Sequence, residues 1–289
     1  FTQDVRDLTA GAILEQIRKQ PGELDLLDGS PPCSAFSSAG KREKLWGKMK
    51  VYSDVHQKGV ETLFFEYVRI LDGIRPKVFV AENVAGLARG VSRGFLREFL
   101  AAFRAKGYVV HAKILDAKWL GVPQSRTRLI FVGVREDLWR PDFEDKTHPK
   151  PFRHAVPLSE AFKGLILTDK DREETDISRY AIYRELVKLK PGESSTRYFN
   201  LVKASPFEPC GCVTATTGSL SAASVEHWDN RAFSISELKR IVSIPDDYVL
   251  TGTYQQRAER LGRMVPPLMM RAVAENIYEN ILSKINENS

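Results

Sequence analysis

Three short segments carry residue types that can do chemistry. The first is Gly29-Ser30-Pro31-Pro32-Cys33-Ser34-Ala35-Phe36-Ser37, in which a thiol follows two rigid prolines. The second is Glu82-Asn83-Val84, directly after the apolar run Val78-Phe79-Val80-Ala81. The third is Gly121-Val122-Pro123-Gln124-Ser125-Arg126-Thr127-Arg128. A cysteine in a Pro-Pro turn at the mouth of a sheet is a candidate nucleophile; a small buried apolar cysteine is the alternative, and spacing leaves both open. An ionised carboxylate at a buried strand end is costly unless paired or used. Glu82 is therefore a candidate binding or acid group, with helix capping as the bland alternative. Arg126 and Arg128 stand two apart, a spacing that projects both to one side of a strand. Two guanidiniums there suit a phosphate or fix a carboxylate such as Glu82, although a solvated surface pair is also open.

The surrounding pattern supplies elements to present these segments. Ala12 to Gln20 has helical apolar spacing and is stopped by Pro21-Gly22. Leu24 to Asp28 reads as a buried strand running into the cysteine loop, and Ala35 to Lys58 as a long, polar, basic loop. Thr62 to Leu71 and Arg93 to Lys106 are amphipathic helices, the second stopped by Gly107. Lys77 to Ala81, Tyr108 to Leu115 and Leu129 to Val134 read as strands. The last two have no helix between them and are expected to be antiparallel. Strand–helix alternation at this spacing predicts an α/β fold with a doubly wound, mostly parallel sheet. Ligands bind outside the carboxyl ends of such strands, where the cysteine and glutamate segments fall.

Beyond Arg140 the periodicity weakens, apart from expected helices over Ile177 to Leu189, Arg231 to Ile244 and Pro267 through Ile285. We expect three stretches: 1–139 in the large domain, 140–217 as a smaller domain, and 218–289 returning to the large one.

Composition narrows the class. The 289 residues are 43% hydrophobic and 28% charged, an ordinary globular balance that rules out a disordered tail or collagen-like rod. No apolar run approaches the ~18 residues of a membrane span, so no membrane partner is expected. Three cysteines, Cys33, Cys210 and Cys212, are too few for a disulfide framework and point to a reducing compartment. The net charge of +6 favours a polyanionic partner. Cys210-Gly-Cys212 lacks a second pair and the five histidines show no ligand spacing, so no metal is expected. Gly86, Gly90 and Gly94 match no phosphate-loop pattern.

In this order, Pro32-Cys33, Glu82-Asn83-Val84 and Gln124-x-Arg126-x-Arg128 resemble the motifs of the DNA (cytosine-5) methyltransferases. The likeness extends outward. Asp4-Val5-Arg6-Asp7 resembles the acidic cofactor motif, and Thr62-Leu63-Phe64-Phe65 the segment after the catalytic loop. Arg231-x-Phe233-Ser234-x-Ser236-Glu237 with Ile244-Pro245-Asp246-Asp247-Tyr248 resembles the ninth motif, and Gly262-Arg263-Met264-Val265-Pro266-Pro267 the tenth. Each motif alone is weak; their order is the stronger signal.

The resemblance implies an S-adenosylmethionine-dependent methyltransferase sheet with a target-recognition domain, acting on cytosine C5 in double-stranded DNA. It implies Cys33 as nucleophile toward C6, Glu82 on the N3/N4 edge of the base, and Arg128 with Arg126 nearby positioning Glu82 and the base and contacting phosphate. It implies cofactor contacts at Asp7, Pro32, Leu63 and Val265, and DNA contacts at Ser37, Lys41, Arg42, Asn83 and Gln124. The target base must be flipped out of the stack. The basic loop Ser34 to Lys58 is expected to close over DNA and to be mobile without it. Two departures stand out. The glycine-rich Phe-x-Gly-x-Gly motif is not in the chain, which opens at Phe1; we expect it upstream or on a second subunit. Arg263 stands where the tenth motif usually has asparagine. A bacterial, cytoplasmic, nucleoid-associated modification enzyme is the leading expectation. A tRNA cytosine-5 methyltransferase and a non-catalytic DNA-binding remnant are the alternatives.

Overall fold

A computed structural model describes residues 3–31, 50–51, 56–57 and 63–287. The chain folds as two compact units, one of residues 1–115, 127–149 and 274–289, the other of residues 116–126 and 150–273.

In the first unit, α1 (Ala10–Ile17) is capped by Thr9, whose hydroxyl accepts from the Ala12 N–H, and leads to β1 (Leu26–Gly29). Two short strands, β2 (Lys50–Val51) and β3 (His56–Gln57), pair antiparallel. Then follow α2 (Leu63–Ile74), β4 (Val78–Val84), α3 (Arg93–Arg104), β5 (Tyr108–Asp116) and β6 (Thr127–Arg135). The sheet order is β1-β4-β6-β5. β1 runs parallel to β4 and β6 antiparallel to it, a mixed α/β sheet. The parallel pair is joined through α2. The connection from β5 to β6 carries only one turn of 3-10 helix, Ala117–Leu120, rather than a crossover helix.

β4 sits inside the sheet, and Val78 to Ala81 are almost fully buried. An apolar core covers it, built from Phe64, Phe79, Phe99, Phe103 and Phe131, with the Phe79 and Phe103 rings 4.4 Å apart. Each such ring contributes roughly 1.5–3 kcal/mol on burial. Gly133 lies opposite Phe79 across β4 and β6, and the Phe79 ring occupies the space a Cβ would need.

The second unit has α4 (Leu158–Ala161), α5 (Asp169–Glu174), α6 (Tyr183–Leu186), the parallel pair β7 (Val202–Lys203) and β8 (Val225–Glu226), α7 (Ile235–Ile241), α8 (Tyr254–Arg263) and α9 (Pro267–Ile277) up to Val273. The end of α9, a π-helical turn, Tyr278–Leu282, and α10 (Ser283–Asn286) belong to the first unit. One core joins Leu158, Leu186, Leu201 and Val213 to Leu238, Ile241 and Leu261. Residues 218–273 thus group with 150–217, where a return to the large domain at residue 218 was expected.

Helix lengths also differ from expectation. The segment 177–189 contains only the four-residue α6, because the Asp176 carboxylate captures the Ser178 N–H and hydroxyl in a local turn. The expected helix at 231–244 is shortened to α7 by Ser234, which caps it in a reciprocal box with Glu237. Helix α8 was not anticipated; a Thr253–Gln256 capping box starts it.

Candidate active site

β1 and β4 leave the sheet side by side, with Gly29 paired to Ala81. Two residues beyond Gly29, the Pro31 carbonyl accepts a hydrogen bond from Asn83 Nδ2 at 3.4 Å. Asn83 is buried, and its Oδ1 accepts from the Val84 N–H at 2.8 Å. The chain that goes on to Pro32 and Cys33 is therefore tied at Pro31 to the residue following Glu82. Pro32, Cys33, Ser37, Lys41 and Arg42, and most of the loop expected to close over DNA, lie outside the described residues.

Glu82 is 8% exposed. Arg128 Nε meets Glu82 Oε1 at 2.8 Å. The strand register explains the meeting: β6 pairs Ile130 with Glu82 and Arg128 with Val84, so Arg128 lies diagonally across from the carboxylate on the same face. Arg128 Nη1 also donates to the Thr127 carbonyl at 2.8 Å, which fixes the guanidinium plane.

Arg126 does not join that pair. β6 begins at Thr127, so Arg126 lies before the strand and the two-residue periodicity that would align it with Arg128 does not reach it. The expected same-side projection is corrected accordingly. Arg126 is 3% exposed and lies in the second unit, where Nη1 donates to the Val213 carbonyl at 2.8 Å and Nη2 to the Gly262 carbonyl at 3.0 Å. Its own N–H donates to Asp116 Oδ1 at 2.9 Å, while Ser125 Oγ donates to Oδ2. Asp116 thereby organises the whole turn from 116 to 126. Its signal in the sequence is an aspartate at a strand end, where it caps the turn through the Lys118 N–H.

Gln124, expected as a DNA contact, is fully buried. Its main chain lies against Cys210, through Ser125 N–H to the Cys210 carbonyl and Cys210 N–H to the Pro123 carbonyl. Neither side-chain amide atom has a hydrogen-bond partner among the described residues. Burial pushes the Cys210 thiol far up, which suppresses its thiolate, whereas Cys212 is exposed.

Asp7 is exposed in a turn that Arg69 of α2 holds by donating to the Val5 and Leu8 carbonyls at 3.0 and 2.9 Å. Leu63 opens α2 and is buried. Asp7 offers an exposed carboxylate and Leu63 an apolar side chain, residue types that suit the amino edge and the face of an adenine ring. Val265, half-buried, lies in the second unit. Arg263 spends its guanidinium on Glu259 of its own helix, with Nε and Nη2 at 2.9 and 2.6 Å from Oε1. Among the described residues, no three His, Cys, Asp or Glu side chains are grouped to hold a metal, and no helix is long and apolar enough to cross a membrane.

Comparison with known proteins adds an independent line. A family model described as C-5 cytosine-specific DNA methylase matches residues 2–279. Type II methyltransferase M1.HphI of Haemophilus parahaemolyticus is 30% identical, over 96% of this chain and 74% of that protein. Type II methyltransferase M.Sau96I of Staphylococcus aureus is 30% identical, over 88% of this chain and 60% of its own length. Among solved structures, the Dnmt2 methyltransferase of S. pombe superposes with a TM-score of 0.61 at 16% identity, covering 98% of this chain and 83% of that one, which shows a shared fold.

Proposed function

This chain belongs to the C-5 cytosine-specific DNA methylase family, and from that premise we propose that it methylates C5 of a flipped-out cytosine in duplex DNA through a covalent bond from Cys33 to C6. The observation that carries the reading is the Glu82–Arg128 pair at 2.8 Å, beside an Asn83–Pro31 bond that starts the Cys33 loop at the same strand ends.

Cytosine C5 is a weak nucleophile. Addition of the Cys33 thiolate to C6 forms an S–C6 bond and moves electron density to C5. Glu82 holds the N3/N4 edge, and its carboxyl hydrogen-bonds N3 as charge develops there. Arg128 keeps that carboxyl aimed. S-adenosylmethionine, when bound, supplies an electrophilic methyl group, and Asp7, Pro32, Leu63 and Val265 are the residues proposed to hold it. Loss of the C5 proton and breakage of the S–C6 bond return Cys33 as thiolate and leave 5-methylcytosine. Ser37, Lys41 and Arg42 of the basic loop are proposed DNA contacts, and the region expected as the small domain, 140–217, is the proposed target-recognition part. The named relatives are bacterial Type II enzymes, which supports a modification role.

The test is incubation with duplex DNA carrying 5-fluorocytosine and with S-adenosylmethionine. The fluorine blocks the last elimination, so the expected result is a denaturation-resistant protein–DNA adduct that Cys33→Ser abolishes. No adduct from the unmodified protein overturns the proposal.

A further inference from the structure

We infer that Phe199 is an apolar wedge that a rigid hairpin of the second unit drives between base steps of the DNA duplex; this rests on the proposed function and adds a residue to it. The hairpin runs from Gly192 to Lys203. Its arms are joined by Gly192 N–H to the Lys203 carbonyl at 2.8 Å, Lys203 N–H to the Glu193 carbonyl at 2.9 Å and Ser195 N–H to the Leu201 carbonyl at 2.8 Å. At the apex, Leu201 N–H donates to the Tyr198 carbonyl at 3.1 Å, and Asn200 takes φ +74°, a left-handed conformation that asparagine tolerates.

The apex is locked from beneath. Ser195 Oγ accepts from the Arg197 and Tyr198 N–H groups at 3.0 and 3.1 Å, while its hydroxyl donates to Glu185 Oε1 at 3.0 Å. Leu201 is fully buried, and the following Val202 N–H donates to the Ser224 carbonyl. Tyr198 packs inward against the core with the Arg197 guanidinium over its ring. Phe199 alone of the apolar residues at the tip points out, 91% exposed.

Single exposed apolar residues are common and carry no message by themselves. Here the backbone on both sides of the ring is fixed by hydrogen bonds, so an incoming surface gains aromatic contact without having to order a loop. The surroundings select the surface. From residue 179 to 208 the exposed bases are Arg179, Arg184, Lys188, Lys190 and Arg197, against three Glu, and two of the three, Glu185 and Glu193, are engaged by Lys188 and by the Lys190 N–H. A basic stretch whose projecting Phe199 ring is held on a fixed backbone fits a stack of bases flanked by phosphates, where apolar wedges enter and partly unstack a step. A protein partner is the other surface an exposed ring could meet, and the charge excess argues against it.

The test uses mixed-sequence unmethylated plasmid duplex. Phe199→Ala is expected to bind it about tenfold more weakly, the scale of one lost base–aromatic stack. The dependence of affinity on salt should be unchanged, since no phosphate contact is removed. Arg197→Ala should instead flatten the slope of log affinity against log salt by about 1. In Phe199→Trp the duplex should quench emission beyond the change seen for the four native tryptophans. Unaltered affinity in Phe199→Ala, or no added quenching in Phe199→Trp, overturns the wedge. If that happens while the unmodified protein still forms the 5-fluorocytosine adduct, the wedge falls and the proposed function stands. If the unmodified protein neither binds duplex nor forms the adduct, both fall.

Discussion

Arg128 Nε and Glu82 Oε1 stand 2.8 Å apart, with both side chains at most 15% exposed. The pair is made by two antiparallel strands whose register sets the residues on one face, so the sheet aims the carboxylate. Glu82→Gln keeps the shape and one hydrogen bond but loses the charge. It is expected to fold and to lower methyl incorporation at least ~100-fold, the lower range for loss of a positioned acid–base group. Arg128→Met takes the guanidinium from a buried carboxylate and should cost about 3–5 kcal/mol of stability as well. Urea unfolding beside a labelled-methyl assay separates the two; equal activity in Glu82→Gln and the unmodified protein defeats the assignment.

Arg126 is a different kind of arginine. Its fork is spent on the Val213 and Gly262 carbonyls, so it should act on stability and not on the base. Arg126→Met leaves two carbonyls short of a donor and is expected to lower stability by about 2–4 kcal/mol. The yield of 5-fluorocytosine adduct per folded molecule should hold at low temperature. Loss of adduct without loss of stability would return Arg126 to the chemistry.

His148 gives the fold a pH response. Its ring donates from Nε2 to the Ile130 carbonyl and accepts at Nδ1 from Thr147 Oγ1, each at 2.9 Å, an arrangement of the neutral ring. Burial pushes its pKa down to about 4 from 6.5. The unfolded chain takes up this proton near pH 6.5 and the folded one does not. Stability from this group is therefore complete above about pH 6.5 and falls as pH drops toward about 4, by about 3 kcal/mol in all. His148→Gln, which can still donate to Ile130, should show a shallower loss of urea midpoint between these pH values. Parallel profiles for the two proteins would contradict this.

The remaining thiols should differ in reactivity. In a Cys33→Ser background at pH 8, a thiol reagent is expected to label Cys212 within minutes and to leave Cys210 untouched until the protein is unfolded, because Cys210 is fully buried and its pKa is raised by burial. Peptide mapping reads the sites directly.

Much of this was legible in the sequence where one period ran uninterrupted. The apolar run from Val78 to Ala81 and the pattern of Leu63, Phe64, Tyr67, Val68 and Leu71 appear as β4 and α2. The Glu82–Arg128 meeting was readable as a possibility because both residues belong to strands. Arg126 was misjudged because spacing does not reveal where a strand begins: Asp116 captures Ser125 and the Arg126 N–H, and the ladder opens one residue later. Helix α8 was missed because its apolar face is thin; only Thr253 and Gln256 announced it, through a cap and not a period. The extent of the second unit was hidden because its core gathers residues from Leu158 to Leu261, a closure that no local pattern encodes.

Gly262 has a bearing on how this protein can change. The Thr214 main chain lies where a Cβ on residue 262 would go, and Arg126 grips the same residue by its carbonyl. A saturation library at this position should return glycine alone, while the adjoining Arg263, half in solvent and paired with Glu259 along its own helix turn, should accept more substitutions. Variation along this turn is thus channelled past an immovable pivot, and an arginine beside it is the sort of residue such a pivot permits.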